Sequence, residues 1–381
     1  MKRASTVVME AAAPWTRRAS PLARTALAAY AVLLAYAGLA PWSGWRDLGV
    51  DPLAFLWAPV PQHVTPFDLL VNVLGYLPFG ALTVLSLHPR LRGGLAVLAA
   101  LAFGVALAGL IEALQTYLPA RVASNIDLVT NAAGALVGAA ATAPFASALI
   151  DRGRLQQLRA RWFSRDASLL LVLLALWPAA QVSTTPMLFG NGRLVHGDEL
   201  IEAWGWVDTA TLVALFGPSE FVLAEALVVV AALLAAGLAL AAVCQPPAPR
   251  VRALLALFGA ALAVKTYSYA WLLGPARALV WLTPGAIGGL AVGLLALLVA
   301  AHGARRALLA GALAATLVWV LAVNLVPENP YAADLIAPYR YGGRLRNFAA
   351  MANWLTAAWP ALLLTALAIV AGGRRLRRSP P

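Results

Sequence analysis

The chain has 381 residues, of which 62% are hydrophobic and only 12% charged, with a mean hydropathy of +0.79. A soluble domain carries about 25% charged residues and is roughly half apolar, so a soluble fold is excluded and lipid must solvate much of this surface. The net charge of +12 raises a nucleic-acid partner, but the basic residues follow membrane topology instead, and the single Cys244 excludes an intramolecular disulfide.

Residues 1–21 contain no apolar run after their basic start, so they read as a basic cytoplasmic tail rather than a cleavable signal. Windows of about 20 apolar residues predict about ten spans. They lie roughly over 22–40, 67–87, 94–117, 128–150, 168–185, 221–243, 253–273, 278–301, 307–325 and 353–371. With the amino terminus inside, Arg17, Arg18, Arg24, Arg90, Arg92, Arg152, Arg154, Arg250, Arg252, Arg305, Arg306, Arg374 and Arg375 all face the cytoplasm. Far fewer basic residues fall outside, among them Arg46, Arg121, Arg193 and Arg277. The positive-inside rule then places both termini in the cytoplasm. The predicted fold is an all-α polytopic transmembrane helical bundle.

The basic stretch 151–167 divides the chain into a four-span domain at 22–150 and a six-span region at 168–371, with a second basic tail at 372–381. Two long outside segments follow. One carries Asp198, Glu199, Glu202, Asp208, Trp204 and Trp206; the other carries Tyr331, Tyr339 and Tyr341 among Arg340, Arg344 and Arg346. Such aromatics read as an interfacial belt, with room for short surface helices. Gly285, Gly289 and Gly293 form a ridge of small residues on span eight, and Pro284 can bend its outer end.

Polar chemistry concentrates in spans two to four. Asp68, Asn72 and Gly75 repeat as Asp127, Asn131 and Gly134, both as Asp-Leu-x-x-Asn-x-x-Gly. These spacings put the three residues on one helical face. Spans two and four run in the same direction, so the copies stand at similar depth. Gly75, Gly80, Gly134 and Gly138 would admit a neighbouring backbone. Glu112 and Gln115 share a face of span three, and Arg121 and Ser124 follow in the next loop. If the three helices are neighbours, one outward pocket holds Asp68, Asn72, Glu112, Gln115, Arg121, Asp127 and Asn131, whose charges would act on each other. Asp68 and Asp127 equally suit helix capping, and the amides suit interhelical hydrogen bonding. Glu112 is harder to assign to structure alone, because ionisable groups within spans are expensive.

Elsewhere the signals are weaker. Glu225 and Lys265 lie within spans and could pair or snorkel. His63, His88, His196 and His302 have no metal-ligand spacing, so no metal is expected. Neither a phosphate-binding glycine loop nor a serine-nucleophile elbow occurs, and no cofactor is expected.

The ordered set Asp68-x3-Asn72, Leu77-Pro78-Phe79-Gly80, Glu112-x2-Gln115, Arg121 and Asp127-x3-Asn131-x2-Gly134-x3-Gly138 resembles the VanZ-like family over roughly residues 25–150. These are bacterial membrane proteins named for a member linked to teicoplanin resistance. The resemblance implies a multi-pass protein of the bacterial inner (cytoplasmic) membrane, with a role in the cell envelope and in glycopeptide resistance. The leading expectation is an outward pocket that binds a lipid-linked ligand or cell-wall precursor beside membrane lipid. One alternative is a membrane-embedded acid–base enzyme acting on an envelope lipid, with Glu112 as base and Asp127 as acid. Another is a transporter or flippase.

Overall fold

The computed structural model describes residues 20–59, 65–152, 154–182, 185, 187–193, 216–326 and 346–372, and the regular elements among them are all helical. The expectations for the two basic tails (1–19 and 373–381), for His63 and His196, and for the acidic and aromatic loop residues at 194–215 and 327–345 lie outside the described residues. The helices are α1 (Pro21–Leu39), α2 (Pro66–Leu87), α3 (Gly93–Gln115), α4 (Asn125–Thr142), α5 (Arg154–Trp162), α6 (Ser168–Leu176), α7 (Pro218–Val243), α8 (Arg250–Leu273), α9 (Pro284–Ala300), α10 (Arg305–Leu325) and α11 (Arg346–Gly372). Eight are long and apolar enough to cross a membrane, namely α1 to α4, α7, α8, α10 and α11. The chain is a multi-pass membrane protein.

Helix starts follow local chemistry. Ser20, Thr65, Ser124 and Thr283 precede α1, α2, α4 and α9, and each side chain accepts the N–H of the third residue on. Prolines open α1, α2 and α9, where a missing N–H costs nothing.

The other two predicted spans, 168–185 and 278–301, hold the shorter helices α6 and α9. At the start of α9, the Thr283 hydroxyl donates to Glu225 near the start of α7 (2.5 Å). Beyond its end, the Ala301 carbonyl accepts from Arg250, next to the end of α7. Glycines bring α9 onto the α7 backbone. A Cβ would fall 2.7 Å from the Val222 oxygen at Gly285 and 2.8 Å from the Ala226 oxygen at Gly289.

Segment 168–185 is interrupted rather than one helix. α6 ends at Leu176, and after Pro178 only a short 3-10 turn at Ala179–Gln181 follows. The path nevertheless follows α10 from end to end. Asp166 pairs with Arg305 at the start of α10 (2.9 Å), and the Gly192 carbonyl accepts from Asn324 near its end (2.8 Å).

Non-helical backbone at membrane depth must be satisfied by protein, since lipid offers no partner. Neighbouring side chains do this. Thr356 donates to Ala180 (2.7 Å), Trp319 to Phe189 (2.9 Å) and Tyr269 to Thr185 (2.7 Å), all at carbonyl oxygens, and Trp359 donates to the Leu173 carbonyl in the last turn of α6 (2.7 Å). Lys265 is 1% exposed and donates to the same Thr185 carbonyl (3.1 Å). The envisaged Glu225–Lys265 ion pair is therefore not formed, because Glu225 takes the Thr283 hydroxyl and Lys265 serves the broken segment.

α2 packs most extensively against α4, with α3 across both and α1 bridging to α6 and α11. At the far end of α2, His88 Nε2 meets Asp151 Oδ2 at 2.8 Å and pins the turn after α4.

Candidate functional site

The site begins with the α2–α4 interface. A Cβ on Gly134 would lie 2.3 Å from the Val73 oxygen, one on Gly138 1.9 Å from the Leu77 oxygen, and one on Gly80 1.9 Å from the Ala135 oxygen. Contacts that advance four residues along both helices together mean that α2 and α4 run parallel, with the two repeat copies side by side. Gly75 differs from expectation: nothing lies within 4 Å of its Cβ position. It faces away from α4, and its carbonyl accepts the Tyr30 hydroxyl instead (2.8 Å).

α3 closes the third side through Ala96, Ala100, Gly104 and Ala108, one per turn and all buried. The same face carries Glu112 (2% exposed) and Gln115 at its end, so both side chains turn into the protein.

The two repeat copies use their aspartates differently. In α2, Asp68 completes a capping box: its Oδ2 accepts from the Thr65 N–H (3.1 Å) and hydroxyl (2.6 Å), while the Asp68 N–H donates to Thr65 Oγ1 (3.3 Å). In α4, Ser124 accepts the Asp127 N–H (3.3 Å), but the Ser124 N–H donates to Glu112 Oε2 (2.8 Å). Glu112 thus takes the position that the Asp127 carboxylate would fill. Asp127 reaches across the interface and accepts from Asn72 Nδ2 (2.9 Å), which also contacts Thr130 Oγ1 (3.3 Å).

Electrostatics tie the group together. Glu112 feels the charges of Asp127 and Arg121, and Asp127 those of Asp68 and Arg121. Yet the guanidinium of Arg121 also holds α1, with Nη2 donating to the Ala37 carbonyl at 2.9 Å. Gln115 does likewise at Gly38 (2.9 Å). These two donors satisfy carbonyls that the last turn of α1 would otherwise leave open, so Gln115 stands apart from the acids. Asn131 is buried, and its Oδ1 has no hydrogen-bond partner.

Tyr76, and Ser124 of the loop after α3, also take part. Tyr76 lies one turn beyond Asn72, is buried, and interacts with Glu112 and Tyr30; its spacing of eight from Asp68 was the available signal. Ser124 contributes through its backbone N–H, which carries no residue-type signal. Among the described residues no cluster of His, Cys, Asp and Glu suits a metal ion.

Residues 24–146, the segment that forms α1 to α4, match the VanZ/LLP1 family model. No curated protein and no solved structure matches the chain.

Proposed function

We propose that the 24–146 segment is a binding module of a bacterial cytoplasmic-membrane protein, which receives a lipid-linked or cell-wall ligand at the outer face. The observation that carries this reading is the substitution of Glu112 for Asp127 at the Ser124 N–H. It leaves Asp127, Asn72 and Glu112 as a polar group shared by three helices, a costly arrangement for capping that Ser124 and Asp127 could complete alone. Arg121 contributes its field, while part of its donor capacity is spent on α1.

The positive-inside pattern supports the orientation. The end-to-end runs of 166–192 along α10 and of α9 along α7 support ten crossings with both termini cytoplasmic. Glycopeptide resistance of the teicoplanin type is the phenotype this reading assigns.

Full-length protein in lipid nanodiscs, titrated with a fluorescent polyprenyl-linked cell-wall precursor, tests it. Saturable binding that weakens at least tenfold in Asn72→Leu and Asp127→Asn is expected. Absence of saturable binding, or equal binding by both variants, refutes it. The acid–base alternative draws support from the mutual field of Glu112 and Asp127, and turnover of the same precursor is its test.

A further inference from the structure

The segment between α1 and α2 runs along the rim of this site. The Arg46 N–H donates to the Tyr117 carbonyl (3.0 Å), just past α3. Asn125 Nδ2, two residues before Asp127, donates to the Ala58 carbonyl (2.7 Å). The segment presents Trp42 (42% exposed) and Trp45 (41%) just before the first tether and Trp57 (76%) just before the second.

Two of these rings are held in place. Trp42 Nε1 donates to the Tyr36 carbonyl (3.0 Å), and Trp45 Nε1 to the Trp42 carbonyl (3.1 Å). Trp42 packs on Tyr36 at 5.5 Å and Trp45 on Trp42 at 5.8 Å, while Tyr36 stacks on Trp354 of α11 at 5.1 Å. Trp42 also has a φ of +61°, a left-handed conformation that bulky residues rarely adopt. Strain of this kind persists where the surroundings demand it and clusters at ligand sites. An interfacial belt tryptophan needs neither a fixed ring nor a strained backbone, and its N–H usually serves water or headgroups.

The inner wall carries a second, independent observation. Tyr76, Ala108 and Ala135 pack in one cluster. Glu112 lies one turn after Ala108 and Asn131 one turn before Ala135; since α3 opposes α4, both lie toward the rim side of that cluster. Asn131 is 7% exposed, and its Oδ1 accepts no hydrogen bond. A buried acceptor left unpaired is a cost that a ligand donor would remove.

Two carboxylates and an amide oxygen lie behind an aromatic rim, and Arg121, the cation whose field reaches both acids, spends part of its donor capacity on α1. We infer that the site takes an uncharged, hydroxyl-rich saccharide headgroup, with sugar rings stacked on Trp42, Trp45 and Trp57 and hydroxyl or amide N–H groups donated to Asp127, Glu112 and Asn131. This inference rests on the binding reading above and specifies its ligand class. An anionic phosphate group would meet the Asp127 and Glu112 carboxylates at that wall and is disfavoured.

The test uses the full-length protein, labelled with 5-fluorotryptophan, in nanodiscs of uncharged lipid. The probe is a soluble N-acetylhexosamine tetrasaccharide, with inorganic phosphate as the comparison. The tetrasaccharide is expected to shift the fluorine signals of Trp42, Trp45 and Trp57, assigned by Trp→Phe replacement. It leaves those of the buried Trp177, Trp319 and Trp359 in place, and phosphate shifts none. Trp45→Leu weakens binding at least fivefold. Asn131→Leu weakens it at least tenfold without lowering Tm, a combination that a merely structural asparagine would not produce.

Rim signals that ignore the tetrasaccharide but broaden with spin-labelled lipid overturn the inference and make the rim a lipid anchor, leaving the precursor-binding reading intact. Rim shifts that persist unchanged in Asp127→Asn support the aromatic platform and overturn the α2–α4 site as its partner.

Discussion

Replacing Gly138 with alanine places a methyl group 1.9 Å from the Leu77 oxygen, 2.8 Å from its carbonyl carbon and 3.0 Å from its Cα. These are backbone atoms of a helix interior, with no rotamer to change. A relaxed C···O contact is about 3.3 Å, so α2 and α4 must part by about 1.4 Å. An opening of that size takes the Asn72–Asp127 bond, now 2.9 Å, out of hydrogen-bonding range. Overpacking of this kind costs about 1–3 kcal/mol, and an interhelical hydrogen bond in a membrane adds about 0.6 kcal/mol. The expected destabilisation is thus about 1.6–3.6 kcal/mol. Gly75→Ala, in the first half of α2, is the contrasting change. Its Cβ meets nothing within 4 Å, and alanine is favoured over glycine in a helix by up to about 1 kcal/mol. Thermal unfolding of the full-length chain in detergent reads both. Gly138→Ala lowers Tm by several degrees, while Gly75→Ala leaves it unchanged or raises it. Equal losses from the two, or an unchanged Tm for Gly138→Ala, would show that the α2–α4 contact is not the close approach described.

The shared use of the Ser124 N–H gives a second expectation. Glu112→Ala removes that acceptor and frees Asp127 to turn back to the N–H as Asp68 does toward Thr65, so the loss stays below the about 1–3 kcal/mol of an N–H left unpaired. Asn72→Leu should then cost about 0.6 kcal/mol in the parent and nothing in the Glu112→Ala background, as a double-mutant cycle measures. Thr65→Ala removes the capping box of α2 and lowers stability by about 1 kcal/mol; Tm tests this, and an unchanged value refutes the cap. Trp319→Phe withdraws the donor from the Phe189 carbonyl in the interrupted segment after α6. A loss of about 1–3 kcal/mol in chemical unfolding is expected, and a neutral outcome would mean that this carbonyl needs no side-chain partner.

Much of the site was legible because its spacing is local. Asp68, Asn72 and Tyr76 share a face by helix periodicity alone, as do Asp127, Asn131 and Ala135, and the glycines at 134 and 138 mark where a partner helix comes close. The fates of individual side chains were not legible. Arg121 reads as a ligand-binding cation until its bond to Ala37, 84 residues away, is seen. Gln115 likewise turns to Gly38, 77 residues away. His88 reads as isolated until it meets Asp151. Lys265 reads as a charge that pairs with Glu225 or snorkels until the Thr185 carbonyl and hydroxyl beside it are seen.

From the sequence alone follow the lipid solvent, the helical class, the capping option at Asp68 and Asp127, and the duplicated Asp/Asn face, because composition and periodicity belong to each segment by itself. Only the tertiary structure decided which of two matching aspartates caps its own helix and which reaches across. That choice depends on Glu112 arriving from α3 to take one backbone N–H, a contact that exists only once three separate helices have packed.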